Sequence, residues 1–280
     1  MRKEAVAGQF YESSREKLES QLKELFSSAK KVQNKGLKSV NGLIVPHAGY
    51  FYSGKSAAAA YSLIKNMGKI DTFIIIGVNH SGQSALSFED FETPLGIAEN
   101  DREFSKKISN AIGIDEIENA HRWEHSIEVQ LPFIQFLAKK QIKIVPLLLG
   151  DMNFDECGKI ARAIFQIAGD LNRRICLIAS SDFTHYGSSY NFLPFSGNSE
   201  EIKKKLYALD RKAIDFIEKK DSKKFFEYSS QTTICGRIPT TIAVEYCKLI
   251  KSKPKLVDYY TSGDIVKDYS SAVGYAAIVF

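Results

Sequence analysis

The chain has 280 residues, 44% hydrophobic and 25% charged, a globular composition with ample length for a buried core. Its 38 Lys and Arg against 33 Asp and Glu leave +5, a mild and evenly spread balance that argues against nucleic acid or a membrane surface as partner. No apolar run approaches the ~18 residues of a membrane span and no apolar signal core follows Met1-Arg2-Lys3-Glu4; the cysteines at 157, 176, 235 and 247 form no Cys-x-x-Cys pair, so a cytoplasmic chain with reduced thiols is expected.

In chain order, Ser13-x-x-Glu16 reads as a capping box opening a helix with Leu18, Leu22, Leu25 and Phe26 at helical spacing. Gly42 to Val45 reads as a strand, Ser56 to Lys65 as a helix and Thr72 to Val78 as a second strand. Ser84 to Phe91 adds a further strand, then helices are expected over Arg102 to Ile112 and Ile127 to Lys139. Ile142 to Leu149 and Ile175 to Ala179 are strands separated by a helix over Phe154 to Leu171. Helices over Glu200 to Glu218 and Pro239 to Lys251, a strand at Leu256 to Tyr260 and a closing strand at Ala272 to Phe280 complete the chain. The Ile, Val and Leu runs do not alternate with polar residues, the pattern of strands covered on both faces. With no repeat or linker, the expectation is one α/β domain over residues 1–280, its mostly parallel or mixed sheet covered by helices on both faces.

The histidines are five, and three of them end apolar strands. His47 follows Leu43-Ile44-Val45-Pro46, His80 follows Phe73 to Asn79, and Asp182 and His185 follow Ile175 to Ser181. Parallel strands put their carboxyl ends on one sheet edge, where α/β folds bind ligands, so these four side chains are expected to converge. His121-x-x-Glu124-His125 matches the inverted zinc-peptidase motif, but the stretch before it has little helical patterning and Pro132 follows closely. A site-lining loop carrying Glu124 and His125 is the preferred reading, with a zinc peptidase as the lesser alternative. Gly49 to Ser56 satisfies the phosphate-loop pattern; three aromatics fill it where a phosphate needs close backbone approach, so a nucleotide binder is likewise a lesser alternative.

Val45-Pro46-His47-Ala48-Gly49-Tyr50, Gly77-Val78-Asn79-His80, Glu124-His125-Ser126-Ile127-Glu128, Ser181-Asp182-Phe183-Thr184-His185-Tyr186-Gly187 and Cys235-Gly236-Arg237 resemble, in order, the motif series of the Memo family. Ala7-Gly8-Gln9-Phe10-Tyr11 is similar to that family's opening. The resemblance implies a fold like that of class III extradiol dioxygenases, which are non-haem iron enzymes. It also implies a metal triad at His47, His80 and Cys235 with Asp182 and His185 beside it, and makes the peptidase and phosphate-loop matches accidental. A cysteine replaces the carboxylate of the ring-cleaving enzymes, which argues against catechol cleavage.

These readings give a mononuclear iron or copper centre, in an oxygen-dependent oxidoreductase acting on an unknown small substrate. His185, with Asp182 or His125, would move protons, and Asp182 would orient His185. Tyr50, Trp123, Glu124 and Arg237 would line the substrate pocket, with Arg237 balancing a low-pKa Cys235 thiolate or meeting an acidic substrate. The alternative is a non-catalytic protein holding a peptide or small ligand in the same pocket.

Overall fold

The apolar runs lie side by side in the computed structural model, which describes residues 1–31, 40–64, 69–80 and 82–280. Ten strands form one mixed sheet: β1 (Gly42–Val45), β2 (Thr72–Val78), β3 (Ala85–Leu86), β4 (Phe91–Thr93), β5 (Gly96–Asn100), β6 (Lys143–Leu149), β7 (Ile175–Ser180), β8 (His185–Gly187), β9 (Lys255–Thr261) and β10 (Ser271–Val279). The order is β4-β5-β6-β2-β7-β1-β10-β8, with β3 on β6 and β9 on β10. From β5 to β1 every pairing is parallel, while β10 runs antiparallel to β1, β8 and β9.

Ten α-helices among the described residues accompany this sheet: α1 (Arg15–Ser28), α2 (Tyr50–Tyr61), α3 (Arg102–Ile112), α4 (Glu118–His121), α5 (Leu131–Ala138), α6 (Phe154–Asp170), α7 (Ser199–Glu218), α8 (Ser222–Ser229), α9 (Arg237–Leu249) and α10 (Ser262–Val266). Successive strand residues point to opposite faces, so a strand apolar at every position needs two cores. Phe73 and Ile75 of β2 pack with α1, α2 and α5 on one face. Ile74 and Ile76 of the same strand pack with α3, α6, α7, α8 and α9 on the other. No helix among the described residues is long and apolar enough to cross a membrane.

Several boundaries differ from the sequence reading for identifiable reasons. Ser14, not Ser13, caps α1 by accepting from the Lys17 N–H. Helix α2 starts at Tyr50, six residues before the expected start at Ser56, while Lys65 lies outside the described residues. The stretch from Ile127 splits into a 3-10 turn at Glu128–Gln130 and then α5, whose Pro132 sits in the first turn where its missing N–H needs no partner. Pro239 likewise sits in the first turn of α9, which begins two residues earlier than expected, at Arg237. The expected strand over Ser84 to Phe91 is two short strands, β3 and the start of β4.

Candidate metal centre

The ends of the parallel strands are level: Val45 pairs with Ser180, Ile76 with Ala179 and Val78 with Leu149. His47, His80 and Asp182, each two residues past its strand, therefore leave the sheet on one edge. Cys235 arrives from the segment before α9. Its approach depends on Gly236, where a Cβ would stand 2.1 Å from that of Ser181. The candidate ligand atoms of His47, His80 and Cys235 all lie within 4.8 Å of one another.

Hydrogen bonding assigns the atoms that face the centre. The Ser180 hydroxyl donates to the Ser126 carbonyl at 2.6 Å, so its oxygen meets His47 Nδ1 at 3.0 Å as an acceptor. His47 thus carries its proton on Nδ1, and the Nε2 lone pair faces Cys235 Sγ at 3.2 Å. Burial lowers His47 to about 4, keeping the ring neutral and ligand-competent at neutral pH. His80 donates through Nδ1 to Glu124 Oε2 at 2.8 Å, leaving Nε2 for a ligand bond. The Glu124 hydrogen bond raises the His80 pKa, more than burial lowers it.

Glu124 is 9% exposed and accepts four bonds: the backbone and ring N–H of His80 on one oxygen, the backbone N–H of His125 and of Ser126 on the other. Burial alone would raise its carboxyl, but these donors hold it well below the usual range. The sequence reading placed Glu124 in a substrate pocket; the structure instead makes it the buried carboxylate that orients a candidate ligand, an arrangement typical of histidine metal sites. His80, Glu124 and His125 also form a second candidate group with close donor atoms. The first group has the stronger case, because Glu124 already spends both oxygens on N–H donors.

His125 closes the site. Its ring stacks on His80 at 5.2 Å, meets His47 edge-on at 5.5 Å and packs against Phe10 at 4.7 Å. Burial lowers its pKa as well. Asp182 is buried and accepts the His47 backbone N–H at 2.8 Å through Oδ1, while its own N–H points at Cys235 Sγ at 3.3 Å. The expected Asp182–His185 pairing is replaced by another: His185 begins β8, its Nδ1–H donates to the Thr233 carbonyl at 3.0 Å, and its ring meets Tyr190. The free nitrogen of His185 is therefore Nε2.

The Cys235 thiol also departs from expectation. Burial and the neighbouring Asp182 carboxylate push it up, and Arg237 does not offset this because its guanidinium pairs with Asp151 and lies over the Phe226 ring at 4.5 Å. In the metal-free protein the thiol is the neutral partner of His47 Nε2. Burial likewise pushes Cys157, Cys176 and Cys247 up to about 12, as suits apolar filler.

Two other expected pocket residues lie elsewhere. Tyr50 is buried in the core, donates its hydroxyl to the Val129 carbonyl and packs on Phe133. Trp123 is 75% exposed on the outer surface beside Arg122. His121 belongs to neither candidate group: it is buried edge-on to Phe91, and α4 ends at it, so it does not share a helical turn with His125. The phosphate-loop residues are mostly helical, and the N–H groups of Tyr50, Tyr52 and Ser53 are already bonded to Phe10 and Gly49.

The profile of the Memo-like protein family matches residues 2–279. The chain belongs to the Memo family. A MEMO1 family protein of Archaeoglobus fulgidus is 40% identical over 286 residues, covering 100% of this chain and 99% of its own. MEMO1 family proteins of Thermococcus kodakarensis and Pyrococcus abyssi are 36% and 37% identical, covering 99% and 98% of this chain and 98% and 97% of their own. In this Memo chain, sequence reasoning missed the supporting shell: Ser180, Gln130, Thr233 and the buried pair Arg2–Glu128. Glu128, a charge between Ile127 and Val129 in an apolar stretch, was the one sequence signal available for that shell.

Proposed function

We propose that the protein is an oxidoreductase of the cytoplasm built on a mononuclear iron or copper centre, with His47, His80 and Cys235 as ligands. The observation that carries this reading is the pair of imidazoles and one thiol with donor atoms within 4.8 Å of one another, with His80 braced by a carboxylate and His47 by a hydroxyl. Two nitrogens and a sulfur suit a soft, redox-active ion better than magnesium or calcium. Such a metal supplies one-electron exchange with oxygen, which no side chain offers.

The chain's own groups do the rest. Glu124 holds His80 in one tautomer. Asp182 fixes the His47 backbone, and His125 with Phe10 keeps water from that side. His185, anchored at Nδ1 by Thr233, accepts or returns a proton at Nε2 for a small substrate bound beside Cys235. The thiol in place of a carboxylate weighs against ring cleavage and for another oxidation.

The test is oxygen uptake by protein loaded anaerobically with Fe(II) or Cu(I) and given a low-molecular-weight cell extract. Uptake exceeding oxidation of the metal, lost in His185→Gln while metal content stays, supports the reading. A chelator-insensitive ligand with no metal-dependent uptake would favour a binding protein instead.

A further inference from the structure

Beside Cys235 the carboxyl edge of the sheet opens into a cavity of about 320 Å³, lined among others by Val78, Asp151, Ser230, Ile234, Cys235 and Arg237. Its wall is partly apolar and partly hydroxylated, and its volume lies at the small end of the range for organic ligands. The two charged groups on it form one ion pair. Arg237 is the half-buried member, 21% exposed and fixed against Phe226; Asp151 is the exposed one, at 83%.

We infer that this cavity binds a small carboxylic acid, whose carboxylate takes the place of Asp151 on Arg237 and whose body lies toward Cys235. This rests on the reading of the neighbouring centre as the place where substrate is transformed. The guanidinium already holds a carboxylate, so the exchange is like for like. The fork of Arg237 is oriented before the ligand arrives, whereas Asp151 is a solvated side chain whose exposed pair costs little to break. With Asp151 displaced, Arg237 is the only charge left on the cavity wall among the described residues.

Paired alkylating probes test this on the metal-free full chain. Sγ of Cys235 displaces iodide from iodoacetate, which carries a carboxylate, or from iodoacetamide, which is nearly the same size and neutral. The ratio of the two rates cancels the thiolate fraction, and the same ratio on glutathione sets the baseline. Mapped to Cys235, the ratio should exceed that baseline by about 10-fold, the size of one charge-assisted hydrogen bond. Arg237→Gln should return it to the baseline and Asp151→Asn should raise it further, opposite shifts that a general loss of packing does not produce. A ratio at the baseline in the unaltered protein, or one unmoved by Arg237→Gln, overturns the acid-binding site. Metal content of the same preparations is measured separately, so failure of the metal reading leaves a distinct mark.

Discussion

Glu124 has no oxygen to spare for a substrate, and its role follows from that. Replacing it by glutamine, which has one acceptor oxygen and one amide nitrogen, leaves some of its four N–H donors without an acceptor. Glu124→Gln should weaken metal binding by about 10- to 100-fold with the fold retained, as read by competition with a chelator. Asp210, in α7, is the other informative carboxyl. It is fully buried, accepts from the Thr184 hydroxyl and N–H and from the Tyr259 hydroxyl, and burial pushes it up to about 6 from 3.8. A carboxyl with a raised native pKa binds its proton more tightly folded than unfolded. Its contribution is therefore full below about pH 4 and lost as pH rises through about 6, at up to ~1.4 kcal/mol per pH unit. Asp210→Asn escapes that loss, so urea midpoints should shift in the variant's favour across this window; a constant difference would contradict the assignment. At this scale the sequence exposed His47 and His80, because strand-ending histidines advertise themselves. It misled on Asp182 and His185, because three-residue spacing does not reveal that a carbonyl 48 residues away is the better partner.

The N-terminal arm is the element that the apolar pattern did not announce. Arg2 pairs with Glu128 at 2.6 Å, both nearly without exposure, and also donates to the carbonyls of His121 and Glu124. The N–H groups of Ala5 and Val6 and the Tyr11 hydroxyl converge on the same Glu128, and Phe10 reaches His125. The arm thus clamps the loop that supplies Glu124 and His125. Arg2→Met should destabilise the protein by about 3 kcal/mol, since it strands a buried carboxylate, and should loosen metal binding as well. Chemical denaturation and metal competition on one preparation check both effects; loss of stability alone would confine the arm to a structural role. Gly236→Ala is the companion case at the start of α9. Its Cβ would overlap Ser181, so it should push Cys235 away and lower metal affinity more than it lowers stability. The long amphipathic and apolar elements were legible because burial imposes their periodicity. The polar β5 and the eight-residue α8 were not, because pairing and packing with distant chain define them.

Across the whole molecule, one topological fact gathers the centre: parallel strands from four distant segments end together. That much could be read from non-alternating apolar runs, as could the helices on both faces. The closing strand itself was expected, but the antiparallel direction of β10, and the return of residue 235 to the ends of β1 and β7, depend on tertiary packing that local pattern does not encode. A metal held by His47, His80 and Cys235 would join these segments, so it should stabilise all of them together, by about 2.7 kcal/mol at 100 times the dissociation constant. The most direct test is anaerobic titration with Co(II), followed by absorption in the thiolate-to-cobalt charge-transfer region. The expected result is one equivalent bound with that band present, and both the band and tight binding lost in Cys235→Ser. Unchanged binding and spectrum in Cys235→Ser, or no uptake by the unaltered protein, would contradict a centre built from His47, His80 and Cys235.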